Sequence, residues 1–328
     1  MLIATVLIGL VPAWAQASSS SGGTHYRKPV AKTPDAEDSS AVSHSSGPAQ
    51  IGDIEPAYWR ALTEDQQNEA IGILKSFAEK SSDKLKHPLR AHESKLFLFY
   101  SDLTENEAAR YVTLLERMYV KLAELFGIDK RQNLWRGKAL VFVFTRIEDY
   151  RLFERLVEGI DPGNSVGMTH CYGDALVHMA FYRYPNDTQF AHLLVHESVH
   201  GFLHRYRTPV RVPSWANEGL AEDLASELVP DPTRMRSLNG LARACLRQHN
   251  NAVGDFFTTR QIDAWQYPMA ESLCAWMIQH DRNGYLDFIN GIKDGQKWEE
   301  SLKANFKLTK EKLLSEYGKA IGVKALKG

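Results

Sequence analysis

Two histidines and a glutamate in the run His196-Glu197-Ser198-Val199-His200 are the residues whose types and spacing best suit a reaction. On an α-helix, positions i and i+4 share one face about 6 Å apart, so two imidazoles there can converge on one metal ion. Glu197 sits beside the first of them, placed to reach a metal-bound water rather than the metal. Leu193, Leu194, Val195, Val199, Phe202 and Leu203 give the segment an apolar helical setting. Farther on, Trp215-Ala216-Asn217-Glu218-Gly219-Leu220-Ala221-Glu222 brings two more carboxylates, again at i and i+4. Glu218 follows His200 by enough chain for a helical turn, a loop and the start of a second helix. Packed against the first, that helix can deliver Glu218 to the third metal position. A two-histidine, one-carboxylate set leaves the fourth position open for water, the arrangement of catalytic rather than structural zinc. Glu222 can hold a ligand imidazole from behind and fix its tautomer.

The chain has 12 histidines, and six of them crowd between His170 and His204. His192, His196, His200 and His204 recur every four residues. A helix advances about 400° in four residues, a drift of about 40° with about 6 Å of rise, so three successive imidazoles do not easily share one ion. His192 and His204 therefore read as partly exposed or hydrogen-bonded helix residues. His170 and His178 fall on predicted strands and read first as packed or solvated, with His178 a candidate oxyanion donor. Cys171 stands near the same strand end, close enough to modulate a metal.

Hydrophobic periodicity supplies the elements that must position these groups. A polar-rich helical pattern runs over 55–85, and Lys95–Tyr100 reads as a strand. Thr104-Glu105-Asn106-Glu107 is a capping box, opening a helix that Gly127 ends. Ala139–Thr145 is a continuous apolar run typical of a buried strand, and a short helix follows near Glu148–Val157. Ser165–Cys171 and Ala175–Tyr182 read as two strands around a turn at Tyr172-Gly173-Asp174. Helices are predicted over Asp187–Tyr206 and from Pro213-Ser214 to Leu228, and the remainder to Ile321 is helical. Trp276, Tyr285, Phe288, Trp298, Phe306 and Tyr317 there read as core. Strands thus gather in the first half and helices in the second, an α+β layout. The expected division is an N-terminal lobe over 53–206 and a helical lobe over 207–328.

The chain of 328 residues carries 39 Lys+Arg against 40 Asp+Glu. That balance lacks the basic excess of a protein that grips nucleic acid through its phosphates. Residues 1–17 have about a dozen apolar positions, too few to span a bilayer but suited to a secretory signal. Ala13-Trp14-Ala15 and Ala15-Gln16-Ala17 offer small-x-small cleavage patterns, although no Lys or Arg precedes the apolar stretch. Residues 18–52 are rich in Ser, Gly, Pro and Ala and read as a disordered linker. The expectation is export to the periplasm or the extracellular space, with no stable membrane span in the mature chain. Three cysteines, Cys171, Cys245 and Cys274, do not make a disulfide framework. Cys245 and Cys274 could pair in an oxidising compartment, but small buried hydrophobes are the simpler reading.

HExxH followed by a helix of the form WxxEGxAE resembles the gluzincin zinc metallopeptidases, and among them the bacterial peptidase MA-like group, a domain of unknown function in secreted proteins. The resemblance extends from about Lys95 to Ile321, and the two-helix motif is its specific part. It implies a zincin-like fold with Zn²⁺ held by His196, His200 and Glu218. Glu197 matches the catalytic base and Glu222 the acidic partner behind the ligands. It also implies that the edge strand near Gly167 and Met168 pairs with an extended substrate backbone. Tyr267, ahead of a helix in the C-terminal half, resembles the family's oxyanion donor. The leading expectation is a secreted zinc-dependent peptidase acting on a peptide or protein. The alternatives are a zinc-holding but inactive peptide-binding module and a hydrolase of another amide, such as a cell-wall cross-link. A metal-free structural protein stands last.

Overall fold

The computed structural model of the chain describes residues 25–27 and 58–328. The signal-peptide expectation over 1–17 lies outside the described residues, as does the 18–52 linker apart from His25–Arg27. Helix α1 (Glu64–Ser82) opens on a reciprocal cap: Thr63 Oγ1 accepts from the Gln66 amide, and Gln66 Oε1 accepts from the Thr63 amide. Strands β1 (Arg90–Glu93) and β2 (Phe97–Ser101) pair antiparallel. Helix α2 (Glu105–Leu125), capped by Thr104, crosses over to β3 (Ala139–Phe144), which runs parallel to β2. Helix α3 (Ile147–Phe153) continues as a single π turn, Glu154–Glu158, closed by Gly159. The hairpin β4 (Gly167–Tyr172) and β5 (Val177–Tyr182) follows, with β5 parallel to β3. The sheet order is β4-β5-β3-β2-β1, and the short segment His25–Arg27 pairs in parallel with His170–Tyr172 outside β4.

Strand β3 is apolar throughout because both faces are covered. Leu140, Phe142 and Phe144 pack with Leu74 of α1 and Phe153 of α3. Val141 and Val143 face the other way, into a core shared with α2 and with α4 (Asp187–Arg205). Beyond α4 the chain is helical: α5 (Ser214–Leu228), α6 (Pro232–Gln248), a 3₁₀ turn at Ala264–Gln266, α7 (Tyr267–His280), α8 (Arg282–Lys293), α9 (Trp298–Asn305) and α10 (Lys310–Ile321). The fold is therefore mixed α+β, as the pattern of strands and helices implies. Most predicted strands and helices appear with ends moved by a few residues. The helix expected over 55–85 instead begins at Glu64, with 58–63 non-helical, strand β1 is an addition that the sequence pattern did not give, and the segment after β3 widens in its second half into the π turn. Tyr285, Phe288, Phe306 and Tyr317 are buried in the core as expected. One continuous apolar cluster runs from the β-strands to these C-terminal helices. Among the described residues no helix is long and apolar enough to cross a membrane. All three cysteines are free thiols.

Two contacts fix α4 and α5. A Cβ on Gly219 would lie 2.4 Å from the Ala270 carbonyl oxygen and 2.5 Å from Cys274 Sγ, so α5 meets α7 at a separation that only glycine permits. At the far end of α4, Lys293 Nζ donates to the carbonyls of Leu203 and Val210, both at 2.8 Å. Burial drives the Lys293 ammonium down from its ordinary 10.5 to about 7, with Arg205 nearby adding to the effect.

Gly219→Ala is expected to destabilise the protein by about 1–3 kcal/mol through overpacking. Gly72→Ala, on an exposed face of α1 with nothing within 4 Å of the added methyl, should instead stabilise it by about 0.4–1 kcal/mol. Denaturant titration of the two variants decides. Between pH 7 and 10.5 the unfolded chain keeps the Lys293 proton that the folded one sheds, so this group makes stability rise with pH by at most about 1.4 kcal/mol per unit. Lys293→Met should flatten that slope relative to wild type. An identical slope in both proteins would contradict the assignment.

Candidate metal centre

The HExxH segment lies in the middle of α4, whose first turn is capped by Asn186 accepting from the Gln189 amide. The turn's geometry puts His196 and His200 on one face, and both are buried. Their rings stand at 89° to each other with centroids 4.7 Å apart. The two Nε2 atoms approach to 3.1 Å. Helix α5 is seated by Trp215, fully buried among Phe256, Phe257, Phe288 and Trp298 with ring centroids 5.4–6.1 Å away. One turn later Glu218 reaches the same point: its Oε2 lies 3.2 Å from His196 Nε2 and 3.5 Å from His200 Nε2. Tetrahedral coordination with bonds of about 2.0–2.1 Å sets ligand atoms about 3.3–3.4 Å apart. The three separations of the predicted ligand atoms, 3.1, 3.2 and 3.5 Å, are close to the edges of one face of such a tetrahedron. Glu197 also stands by, with ligand atoms of His196, Glu197 and His200 all within 4.8 Å of one another. The cluster can hold a metal ion.

Glu222, fully buried one turn beyond Glu218, organises the site from behind. Its Oε1 lies 3.0 Å from His196 Nδ1 and its Oε2 3.1 Å from His192 Nε2. With the Nδ1 proton facing this carboxylate, His196 presents its Nε2 lone pair to the cluster. The electrostatics are those of a cation site. Burial disfavours a charged imidazole at His196, yet Glu218 and Glu222 outweigh it and hold the proton up to about 10. Burial likewise opposes ionisation of Glu218, and the facing imidazoles of His200 and His196 override it, pushing the carboxyl down to about 2. A metal cation competes with protons for the same lone pairs.

The general-base candidate is held by the sheet. Thr169 on β4 has its hydroxyl 3.0 Å from Glu197 Oε2 and 2.8 Å from the Glu197 carbonyl oxygen. Gly167 and Met168, the predicted substrate-pairing positions, open the same strand and pair with Phe181 and Ala180 of β5, while on its other side His25–Arg27 pairs with the strand only over His170–Tyr172. A side chain on Gly167 would come within 3.0 Å of Phe181 and Leu193, so this strand hugs α4. Tyr267 is the first residue of α7, 7% exposed in the main core. It does not line the cavity that borders His200 and Glu218.

His178 requires a correction. It points away from α4, with its ring 4.4 Å from Phe77 and 4.7 Å from Tyr172 and its Nδ1 3.5 Å from Glu158. It cannot donate to an oxyanion on the other face of the sheet. His170, its cross-strand partner, turns the same way toward Glu154 of the π turn. His192 does more than the sequence implies, since it closes the clamp on Glu222. Thr169 was missed altogether, because no spacing links a strand residue to the helix it touches. Cys171 and His204 line the cavity beside His200. Burial pushes the Cys171 thiol up to about 12 and the His204 imidazole down to about 4, so both are neutral there.

Glu222→Gln should preserve the shape of the site while weakening divalent-metal binding about 10–100-fold, as read by chelator competition. Wild-type affinity in that variant would remove Glu222 from its supporting role. No protein-family model matches the chain, and no curated protein matches its sequence.

Proposed function

We propose that the chain is a zinc-dependent peptidase with a zincin-like arrangement of helix, strand and metal. One observation carries the reading: His196 Nε2, His200 Nε2 and Glu218 Oε2 lie 3.1–3.5 Å from one another with the Glu197 carboxylate beside them. Two imidazoles and a carboxylate with room for a fourth ligand are the donor set of a catalytic zinc rather than a structural one. When bound, Zn²⁺ supplies Lewis acidity and lowers the pKa of a coordinated water toward about 7.

The protein groups do the rest. Glu197 accepts the proton of the attacking water and passes it to the leaving amine. The Thr169 hydroxyl orients that carboxylate. Glu222 keeps His196 in the tautomer that offers Nε2, and His192 keeps Glu222 in place. In this reading an extended peptide lies along β4 near Gly167 and Met168, so the strand that aligns the substrate also steadies the base. The assignment of Tyr267, at the start of α7, as oxyanion donor rests on the family resemblance alone. The proposal of export rests on residues 1–17 alone.

Glu197→Gln is expected to retain about one Zn²⁺ per chain and to lose about 10²–10⁴-fold in peptide turnover. Elemental analysis and a peptide-library assay on wild type and variant are the measurements. Equal turnover in the two would sink the mechanism. Zinc with no cleavage of any peptide by wild type would favour a peptide-binding module, and release of fragments from cell-wall material alone would move the reaction to another amide.

A further inference from the structure

A cavity of about 260 Å³ opens directly beside the metal centre and shares His200 and Glu218 with it. It has room for one amino-acid side chain. Its walls carry three basic residues from three separate segments: Arg211 in the loop between α4 and α5, Arg260 ahead of the 3₁₀ turn, and Lys293 at the end of α8. Its only lining carboxylate is Glu218, which already faces the two imidazoles. Arg211 and Arg260 are exposed, and Lys293 is 1% exposed. The Lys293 ammonium has three hydrogens. Two are committed to the carbonyls of Leu203 and Val210. The first of these contacts also satisfies a carbonyl in the last turn of α4, which would otherwise face an anion.

We propose that this cavity is a specificity pocket that receives a carboxylate of the substrate close to the scissile bond. The inference rests on the peptidase reading and adds the substrate class to it. A wall with basic groups from three segments gives a negative ligand favourable charge contacts on several sides. Its position against His200 and Glu218 places the accepted group next to the reacting carbonyl. An anion seated there also favours the charged form of Lys293, which burial alone disfavours. The carboxylate can belong to an internal Asp or Glu side chain or to the free end of a peptide.

The test is calorimetry on the full chain carrying Glu197→Gln and loaded with Zn²⁺, so that binding is read without turnover. The probes are blocked hexapeptides identical except for Glu, Asp, Gln, Leu or Lys scanned through each position, together with one neutral peptide as free acid and as amide. The expected result is binding about 10-fold tighter for Glu than for Gln at one position, or for the acid over the amide. The first outcome assigns the pocket to an acidic side chain and the second to a chain end. That preference should fall below about 2-fold in Arg260→Ala and in Arg211→Ala, survive in Arg260→Lys, and shrink as salt is raised. Equal affinity across the Glu, Gln, acid and amide probes overturns the pocket and leaves the peptidase reading standing. A preference untouched by both arginine substitutions overturns it as well. Zinc retention with no binding of any peptide overturns the peptidase reading and the pocket together.

Discussion

A carboxylate without solvent, Glu222, is the group on which the rest of the centre depends. Burying an ion of this kind costs several kcal/mol unless its oxygens are paired. Both are: one faces His196 and the other faces His192, which stand four residues, about one turn, apart on α4. The demand for those partners is what locks α5 onto α4. Once that contact is made, Glu218, one turn earlier on α5, has no choice but to meet the two Nε2 atoms. Gly219 makes the approach possible on the opposite side of α5, where any side chain would strike Ala270. Trp215 anchors the helix start. The convergence of His196, His200 and Glu218 is thus a by-product of satisfying one buried charge and packing one helix tightly.

The sheet contributes in a different way. Its central strand is buried on both faces, and this supplies a rigid floor. Side chains alternate along β4, so Gly167, Thr169 and Cys171 face α4 while His170 turns toward the π turn. The strand therefore serves two neighbourhoods at once. One face steadies Glu197. The other holds the buried pairs His170–Glu154 and His178–Glu158, with the Tyr172 hydroxyl also on Glu158. A π turn adds a residue to the local helical repeat. Here it places both glutamates opposite the two cross-strand histidines.

The legible part of this protein was whatever depends on a fixed period within one element. The i and i+4 pairs His196/His200 and Glu218/Glu222 disclosed themselves because a helix has only one pitch, and the apolar run Ala139–Phe144 disclosed a doubly covered strand. What stayed hidden depends on pairing between elements. Whether His178 faces the His196–His200 cluster or turns its back follows from the β4/β5 register, and a slip of one residue would reverse the answer. Thr169 meets Glu197 across a strand–helix contact that no spacing encodes. His192 looked like a bystander because its own helix gives it no role, and its partner lies thirty residues away. The basic wall of the cavity is drawn from Arg211, Arg260 and Lys293, which share no motif.

The Thr169 hydroxyl has one hydrogen and two acceptors on the same residue, the carbonyl oxygen and the carboxylate of Glu197. It can serve only one at a time. With the hydrogen on the carboxylate, Glu197 is oriented but one of its oxygens is occupied. With the hydrogen on the carbonyl, the carboxylate is free to take a proton and the hydroxyl still holds strand to helix. In the proposed mechanism, a rotation about a single Cβ–Oγ bond thus separates holding Glu197 from using it as a base. The strand can let go of the proton's destination without letting go of the helix that carries it.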